Sequence, residues 1–338
     1  MSEGKFFRGT LFTFASGVLI LVVGMGTSII LARALGPEGR GEFALACLLP
    51  SLIVTFGGLG IGPATAYFVA RGDFPRREIL GSNLLISIVM GSIGATVGYL
   101  MIFFFRQRLF PGVNQGYLYF VLAFIPIEFF AMYTRHVLLG AQWIRKFNYV
   151  DIGQAILFLG FISFALLGIK TGVMGALICM LLTNVLTNIA CFYWAKNASG
   201  GIEWTLNRTY AKQAVAYGSK VHLANILGFL NYRVDMLFIS AFLGSSSVGL
   251  YAIGVGLVEK LWLVSQSAST VLFPHVSAEK DESKRKEFTP LVARTVLWVT
   301  ALGALVLVCG EPGQRLPEAF QFQQSFLRRQ VHADGLAW

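Results

Sequence analysis

Leu31-Ala-Arg-Ala-Leu-Gly-Pro-Glu-Gly-Arg-Gly-Glu-Phe-Ala44 returns, 208 positions later, as Ile239-Ser-Ala-Phe-Leu-Gly-Ser-Ser-Ser-Val-Gly-Leu-Tyr-Ala252. Leu35/Leu243, Gly36/Gly244, Gly41/Gly249 and Ala44/Ala252 coincide without a gap, and Phe43/Tyr251 match in kind. Each copy reads as a short, Gly-bounded loop between two long apolar helices. Repeated membrane halves around a central site are the construction of alternating-access carriers. The passage therefore predicts an all-α integral membrane protein built as two pseudo-repeat helical bundles.

The register reaches beyond the passage. The same offset lays the second apolar span on the eighth, Arg76-Arg77 on Lys284-Arg285, and the third span, from Ile79, on the ninth, from Glu287. The first half ends near Trp194, so a complete second half ends near position 402, whereas this chain has 338 residues. About three spans are then wanting from an expected 12 or more. Residues 311–338 hold five Gln against six in the preceding 310, with no span-length apolar run. They read either as a polar extracytoplasmic tail or as a truncated or frameshifted end in place of three helices. The repeat favours the second reading.

Composition agrees with a membrane fold. Hydrophobic residues make up 55% and charged residues 13% of the chain, with a mean hydropathy of +0.66; soluble domains carry about 25% charged residues. The four cysteines, Cys47, Cys179, Cys191 and Cys309, fall in apolar stretches without metal or disulfide spacing. The net charge of +10 sits mostly in short loops, where basic residues orient membrane proteins, so no nucleic-acid partner is expected. Spans need about 20 apolar residues. Nine segments qualify, near 10–31, 43–70, 79–105, 117–139, 150–169, 173–195, 219–242, 248–274 and 288–310. The second contains Gly57-Gly-Leu-Gly-Ile-Gly-Pro63, which predicts a kinked or locally unwound helix, and the third carries Gly94-x-x-x-Gly98, a surface for close helix approach. The predicted organisation is a six-helix bundle over 1–195, a cytoplasmic linker at 196–218, an incomplete three-helix bundle at 219–310, and the tail. With the N-terminus inside, 16 basic residues fall on the cytoplasmic side and five outside, which fixes the expected orientation.

Charges inside spans are costly and usually face a bundle interior or a wet cavity. They are Glu128 and Arg135 in the fourth span, Arg233 and Asp235 in the seventh, and Glu259 and Lys260 in the eighth; Asn225 and Asn231 add polarity to the seventh. Arg233, Asp235, Asn231, Asn225, Glu128 and Lys260 are the candidates for a cavity holding a phosphate- or sugar-bearing headgroup, with Arg as bidentate phosphate partner. Arg135, near a span end, is expected to snorkel. His136, His222, His275 and His332 have no second ligand at metal spacing. There is no nucleophile elbow and no Walker motif. Neither an enzyme nor a cofactor is therefore expected.

Gly9-Thr-Leu with Ser16-Gly17, the passage from Leu31, Gly58-Leu-Gly60, Tyr232-Arg-Val-Asp235, the passage ending at Ala252 and Leu272-Phe-Pro274 together resemble the polysaccharide flippases. These are the branch of the multidrug/oligosaccharidyl-lipid/polysaccharide (MOP) exporter superfamily that handles O-antigen, teichoic acid and capsule precursors. The resemblance covers about residues 5–310. It implies a multi-pass protein of a bacterial or archaeal cytoplasmic membrane that moves a polyprenyl-diphosphate-linked oligosaccharide between leaflets through a central cationic cavity. First-half arginines near the loops would assist with the diphosphate. The implied partners are the lipid-linked substrate, membrane lipids and a polysaccharide polymerase. Two other readings stand beside it: a cation-coupled drug or small-molecule efflux antiporter of the same fold, using Glu128, Asp235 and Glu259, and an inactive truncated fragment.

Overall fold

The computed structural model describes residues 3–256, together with 259, 294, 297, 298 and 301. Lys260, most of the expected eighth and ninth spans, Leu272-Phe-Pro274 and the 311–338 tail lie outside the described residues. Residues 1–260 form one compact unit and 261–338 another. The helices between Glu3 and Gly256 all belong to the first.

Among the described residues every regular element is helical, and six helices are long and apolar enough to cross a membrane. α1 (Glu3–Gly57) is two helices joined at Gly36, whose φ of 68° and ψ of −178° are open only to glycine at low cost. Pro37 then starts the second helix, where its missing N–H loses nothing. The expected loop at 32–42 is thus one residue long, and helix resumes straight after it. The expected span 43–70 breaks after Gly57. Leu59 and Gly60 take positive φ, and the eleven-residue α2 (Ile61–Arg71) follows, ended by Gly72 in the left-handed region. The Gly-rich run is a true unwinding, as its composition predicts.

α3 (Arg76–Leu109) lays Gly91, Gly94 and Gly98 against Pro126, Ile125 and Leu122. A Cβ at any of the three would collide with those neighbours, which is how a small-residue stripe brings two backbones together. The next crossing is α4 (Gln115–Phe120), a 3₁₀ turn (Val121–Ala123) and α5 (Phe124–Gly140) in sequence. α6 (Ile144–Ser163) runs on into a π-helical turn (Phe164–Ile169), and α7 (Gly172–Ser199) completes the sixth expected span. Leu45, Leu49, Leu118, Val121 and Ile125 fill the core with no exposure, while Phe103, Phe104, Ile189 and Tyr193 are exposed on outward faces. Large apolar side chains on the outside are the surface a bilayer requires.

The predicted linker is mostly helix. α7 runs to Ser199, and α8 (Arg208–Leu243) begins at Asn207, whose side chain caps the Tyr210 N–H at 2.9 Å. Residues 200–207 lie across the start of α3. The Glu203 N–H donates to the Arg77 carbonyl, the Asn207 amide donates to Glu78, and the Asn207 N–H donates to Ser82 Oγ. Tyr210, Asn83 and Thr65 close a fully buried triangle of 2.9 Å hydrogen bonds joining α8, α3 and α2.

α9 covers 245–256 and follows Gly244 directly. Here the sequence repeat becomes three-dimensional. Gly244 has φ 80° and ψ 177°, the backbone of Gly36 repeated. The two copies also pack on each other reciprocally. A Cβ on Gly41 would run into the Ser245 carbonyl, and one on Gly249 into the Pro37 carbonyl; Ser245 and Gly249 are the repeat equivalents of Pro37 and Gly41. The matched glycines mark the crossing point of a pseudo-two-fold pair of helices.

Candidate functional site

Beside that crossing lies a cavity of about 760 Å³. Both limbs of α1 line it, through Thr27, Ser28 and Leu31 before the break and Arg40, Phe43, Cys47 and Ser51 after it. Asp151 and Gln154 of α6, Thr183 and Asn184 of α7, Phe229 and Arg233 of α8, and Ala252 and Glu259 complete the wall. Its size suits a ligand of a few hundred daltons, since small-molecule sites run from about 300 to 1,000 Å³.

Two polar clusters meet there. The first begins at Arg135 on α5. Its Nη1 donates to Asp151 Oδ1 at 2.8 Å and its Nη2 to Gln154 Oε1 at 2.6 Å. Gln154 Nε2 donates to Asn184 Oδ1 at 2.8 Å, and Asn184 Nδ2 donates to Glu128 Oε1 at 3.0 Å. The chain ties α5, α6 and α7 together and shows the cavity Asp151, Gln154 and Asn184. Arg135 does not snorkel as expected: the carboxylate and the amide across the helix interface hold it inside.

The second cluster is cationic. Arg40 stands in the first turn after the Gly36 break, with its guanidinium 5.7 Å from the Phe43 ring centre. The side chain is half-buried. It has no ion-pair partner among the described residues, and its buried Nε has no hydrogen-bond partner there. A cation drawn out of water without a counter-charge is costly, so the position is prepared for an anion. Arg233 also lines the cavity, and its Nη1 lies 3.3 Å from Glu259 Oε1. The Arg233–Glu259 and Arg135–Asp151 pairs each cancel. Among the described lining residues, Arg40 supplies the uncancelled charge.

The six sequence candidates separate. Arg233 is in the wall. Glu128 reaches the cavity through Asn184. Asp235 turns away to accept from the Tyr251 hydroxyl, joining α8 to α9 outside the lining. Asn225 and Asn231 are exposed and line nothing here, and Lys260 is outside the described residues. Periodicity alone groups Asn231 with Asp235 and sets Arg233 apart; in the fold it is Arg233 that faces the cavity. Sequence reasoning does not single out Arg40, Asp151, Gln154 or Asn184.

No curated protein matches the chain. Among solved structures it is similar to the MATE multidrug transporter DinF-BH, with a TM-score of 0.62 and 16% identity over 95% of this chain and 78% of that one. It is similar to an inward-facing multidrug resistance MATE transporter of the MOP superfamily, with a TM-score of 0.57, 17% identity, and coverage of 87% and 68%. A third likeness is to a MOP superfamily transporter from Pyrococcus furiosus, at TM-score 0.54, 16% identity, and coverage of 86% and 73%. At such identities the likeness establishes the fold, a MATE-like arrangement of membrane helices. The family model described as "Polysaccharide biosynthesis protein" matches residues 30–311, most of the chain and both copies of the glycine passage. The chain belongs to that polysaccharide biosynthesis family and has the fold of MOP-superfamily membrane transporters.

Proposed function

We propose that this protein is a flippase carrying a polyprenyl-diphosphate-linked oligosaccharide across a cytoplasmic membrane, with the diphosphate held in the cavity beside the glycine crossing. The observation that supports it is Arg40, whose guanidinium lines the cavity with a buried, unbonded Nε and no ion partner among the described residues. A guanidinium offers several N–H donors in a planar fork that fits phosphate oxygens. Thr27, Ser28, Ser51, Thr183 and Asn184 would meet sugar hydroxyls, and Phe43 and Phe229 offer faces to sugar rings. The polyprenyl chain would stay in lipid. On this reading the N-terminus is cytoplasmic, and a polysaccharide polymerase consumes the product on the far side.

The drug-antiporter reading draws on the multidrug names of the structural relatives. Cationic drugs want an uncancelled acid in the cavity. Here Asp151 and Glu259 are each spent on an arginine, Glu128 stands behind Asn184 and outside the lining, and the unspent charge on the lining itself is positive. The Pyrococcus furiosus relative is described as having a binding pocket of reverse polarity that suggests a different function. The same logic favours an anionic cargo for this chain.

The test is translocation of a fluorescent polyprenyl-diphosphate-linked sugar in vesicles holding the purified full chain. Wild type should move it, and Arg40→Gln should slow it about tenfold or more, the loss of one charge-assisted contact to phosphate. Vesicles with wild-type protein that leave the lipid in its starting leaflet, or an Arg40→Gln variant as fast as wild type, would overturn the assignment.

A further inference from the structure

Arg233 and Glu259 share one wall of the cavity, and both side chains are about one-third exposed, 36% and 33%. An ion pair closed in between helices would be out of a ligand's reach. This one is open to whatever enters. It is also loose: its two contacts measure 3.3 and 3.5 Å, against about 2.7 to 2.9 Å for a tight charge-assisted hydrogen bond. α8 and α9 have their own tie near it, the Tyr251 hydroxyl to the Asp235 carboxylate. Opening the ion pair therefore does not unfasten the wall.

From this geometry we infer that Glu259 is an internal stand-in for the cargo's anionic group: it occupies Arg233 in the empty cavity and is displaced when a multiply charged phosphate arrives. The inference rests on the anionic-cargo reading above and adds to it how the empty cavity holds its second arginine. Arg40 offers its charge freely and would bind any anion that reaches it. Arg233 must be won from Glu259. A singly charged group trades one carboxylate for another and gains little. A diphosphate has charge enough to satisfy Arg40 and to outcompete Glu259 at Arg233 together. Glu259 thus sets a threshold for reaching Arg233, and every ligand that passes it gives up the worth of the pair. The other charged or titratable groups on this wall are Asp151, held by Arg135, and the Cys47 thiol; neither contacts Arg233 among the described residues.

The sign of the prediction is unusual for breaking an ion pair. Glu259→Gln should strengthen anion binding, because Arg233 is then free from the start. With the purified full chain in detergent, isothermal titration with inorganic phosphate and with inorganic diphosphate reads this directly. The expected result is phosphate binding up to about fivefold tighter in Glu259→Gln, the worth of a partly exposed pair. Diphosphate, which gives up the worth of the pair in order to bind wild type, should tighten by at least as much as phosphate. Glu259→Asp, which keeps the carboxylate, should stay close to wild type with both probes, and thermal unfolding should show both variants folded. If wild type binds diphosphate but Glu259→Gln binds both probes no tighter, Glu259 is only a structural tie and the inference fails alone. If wild type binds neither probe, the anionic reading of the cavity fails and takes the inference with it.

Discussion

The two polar clusters of this protein hold similar residues in opposite states. On the α5–α6–α7 side, Arg135, Asp151, Gln154, Asn184 and Glu128 form a continuous chain in which each member has a partner in the next. On the side of α1, α8 and Glu259, Arg40 has no ion partner among the described residues and Arg233 has a loose one. Both sit within apolar helices, where an unpaired charge costs several kcal/mol by its loss of hydration. A cluster whose arginine has its carboxylate reads as architecture, although the buried Arg135 Nε, like that of Arg40, has no hydrogen-bond partner among the described residues. One that leaves a guanidinium over reads as a place for something else. The first cluster should therefore answer to stability measurements and the second to binding.

The largest effect is expected from breaking the satisfied cluster. Arg135→Met strands the Asp151 carboxylate and the Gln154 carbonyl together, and should cost roughly 3 kcal/mol, toward the lower end for a broken buried pair because both partners keep some exposure. Thermal unfolding in detergent measures it. Removing both charges, in Arg135→Met with Asp151→Leu, should recover much of the loss, since Asp151 no longer stands unpaired and only Glu128 still lacks the arginine. A double variant as unstable as the single one would mean that the two groups are not coupled as the geometry requires.

Arg40→Met is the counterpart and separates the clusters by sign. It removes a charge that the fold does not neutralise, so stability should hold or rise slightly while phosphate binding and lipid translocation fall by about tenfold or more. Should Arg40→Met unfold the protein as Arg135→Met does, the contrast between the clusters would collapse. Glu259→Gln stands between them, nearly neutral in stability and tighter in binding.

How far these distinctions can be read in the sequence depends on what each rests on. The glycine crossing is legible because residue type alone carries it: Gly36 and Gly244 take a backbone that other residues avoid, and Gly41 and Gly249 leave room for a facing carbonyl. The unwinding before Pro63 is legible for the same reason. The clusters are not, because both depend on where helices start. Asp151 stands at the edge of an apolar window beginning at 150, but α6 begins at Ile144, which puts Asp151 about two turns inside the helix. Arg40 reads as part of a loop, and only the one-residue break at Gly36 returns it to a helix beside the cavity. Arg135 looks terminal because its partners lie 16 and 19 positions away on the next helix. Hydropathy sees none of these pairings.

The smallest effects should come from the asparagines of α8. Helical spacing recommends Asn231 together with Asp235, and Asn225 joins them as a polar residue of the same span. Yet Arg233, two positions from either Asn231 or Asp235, is the residue of that segment whose charge enters the wall. Neighbours two apart on a helix point about 200° away from each other, so a wall that takes Arg233 turns Asn231 and Asp235 aside. Asn225 is eight positions from Arg233, about 80° around the helix and two turns along the axis, and it is exposed rather than facing the cavity. Asn225→Ala and Asn231→Ala should accordingly change stability by under about 0.5 kcal/mol, as surface substitutions do, and leave phosphate binding within about twofold of wild type. A loss approaching that of Arg40→Met from either would place the cargo along α8 beyond this cavity, and the anion site would have to be redrawn around that face of the helix.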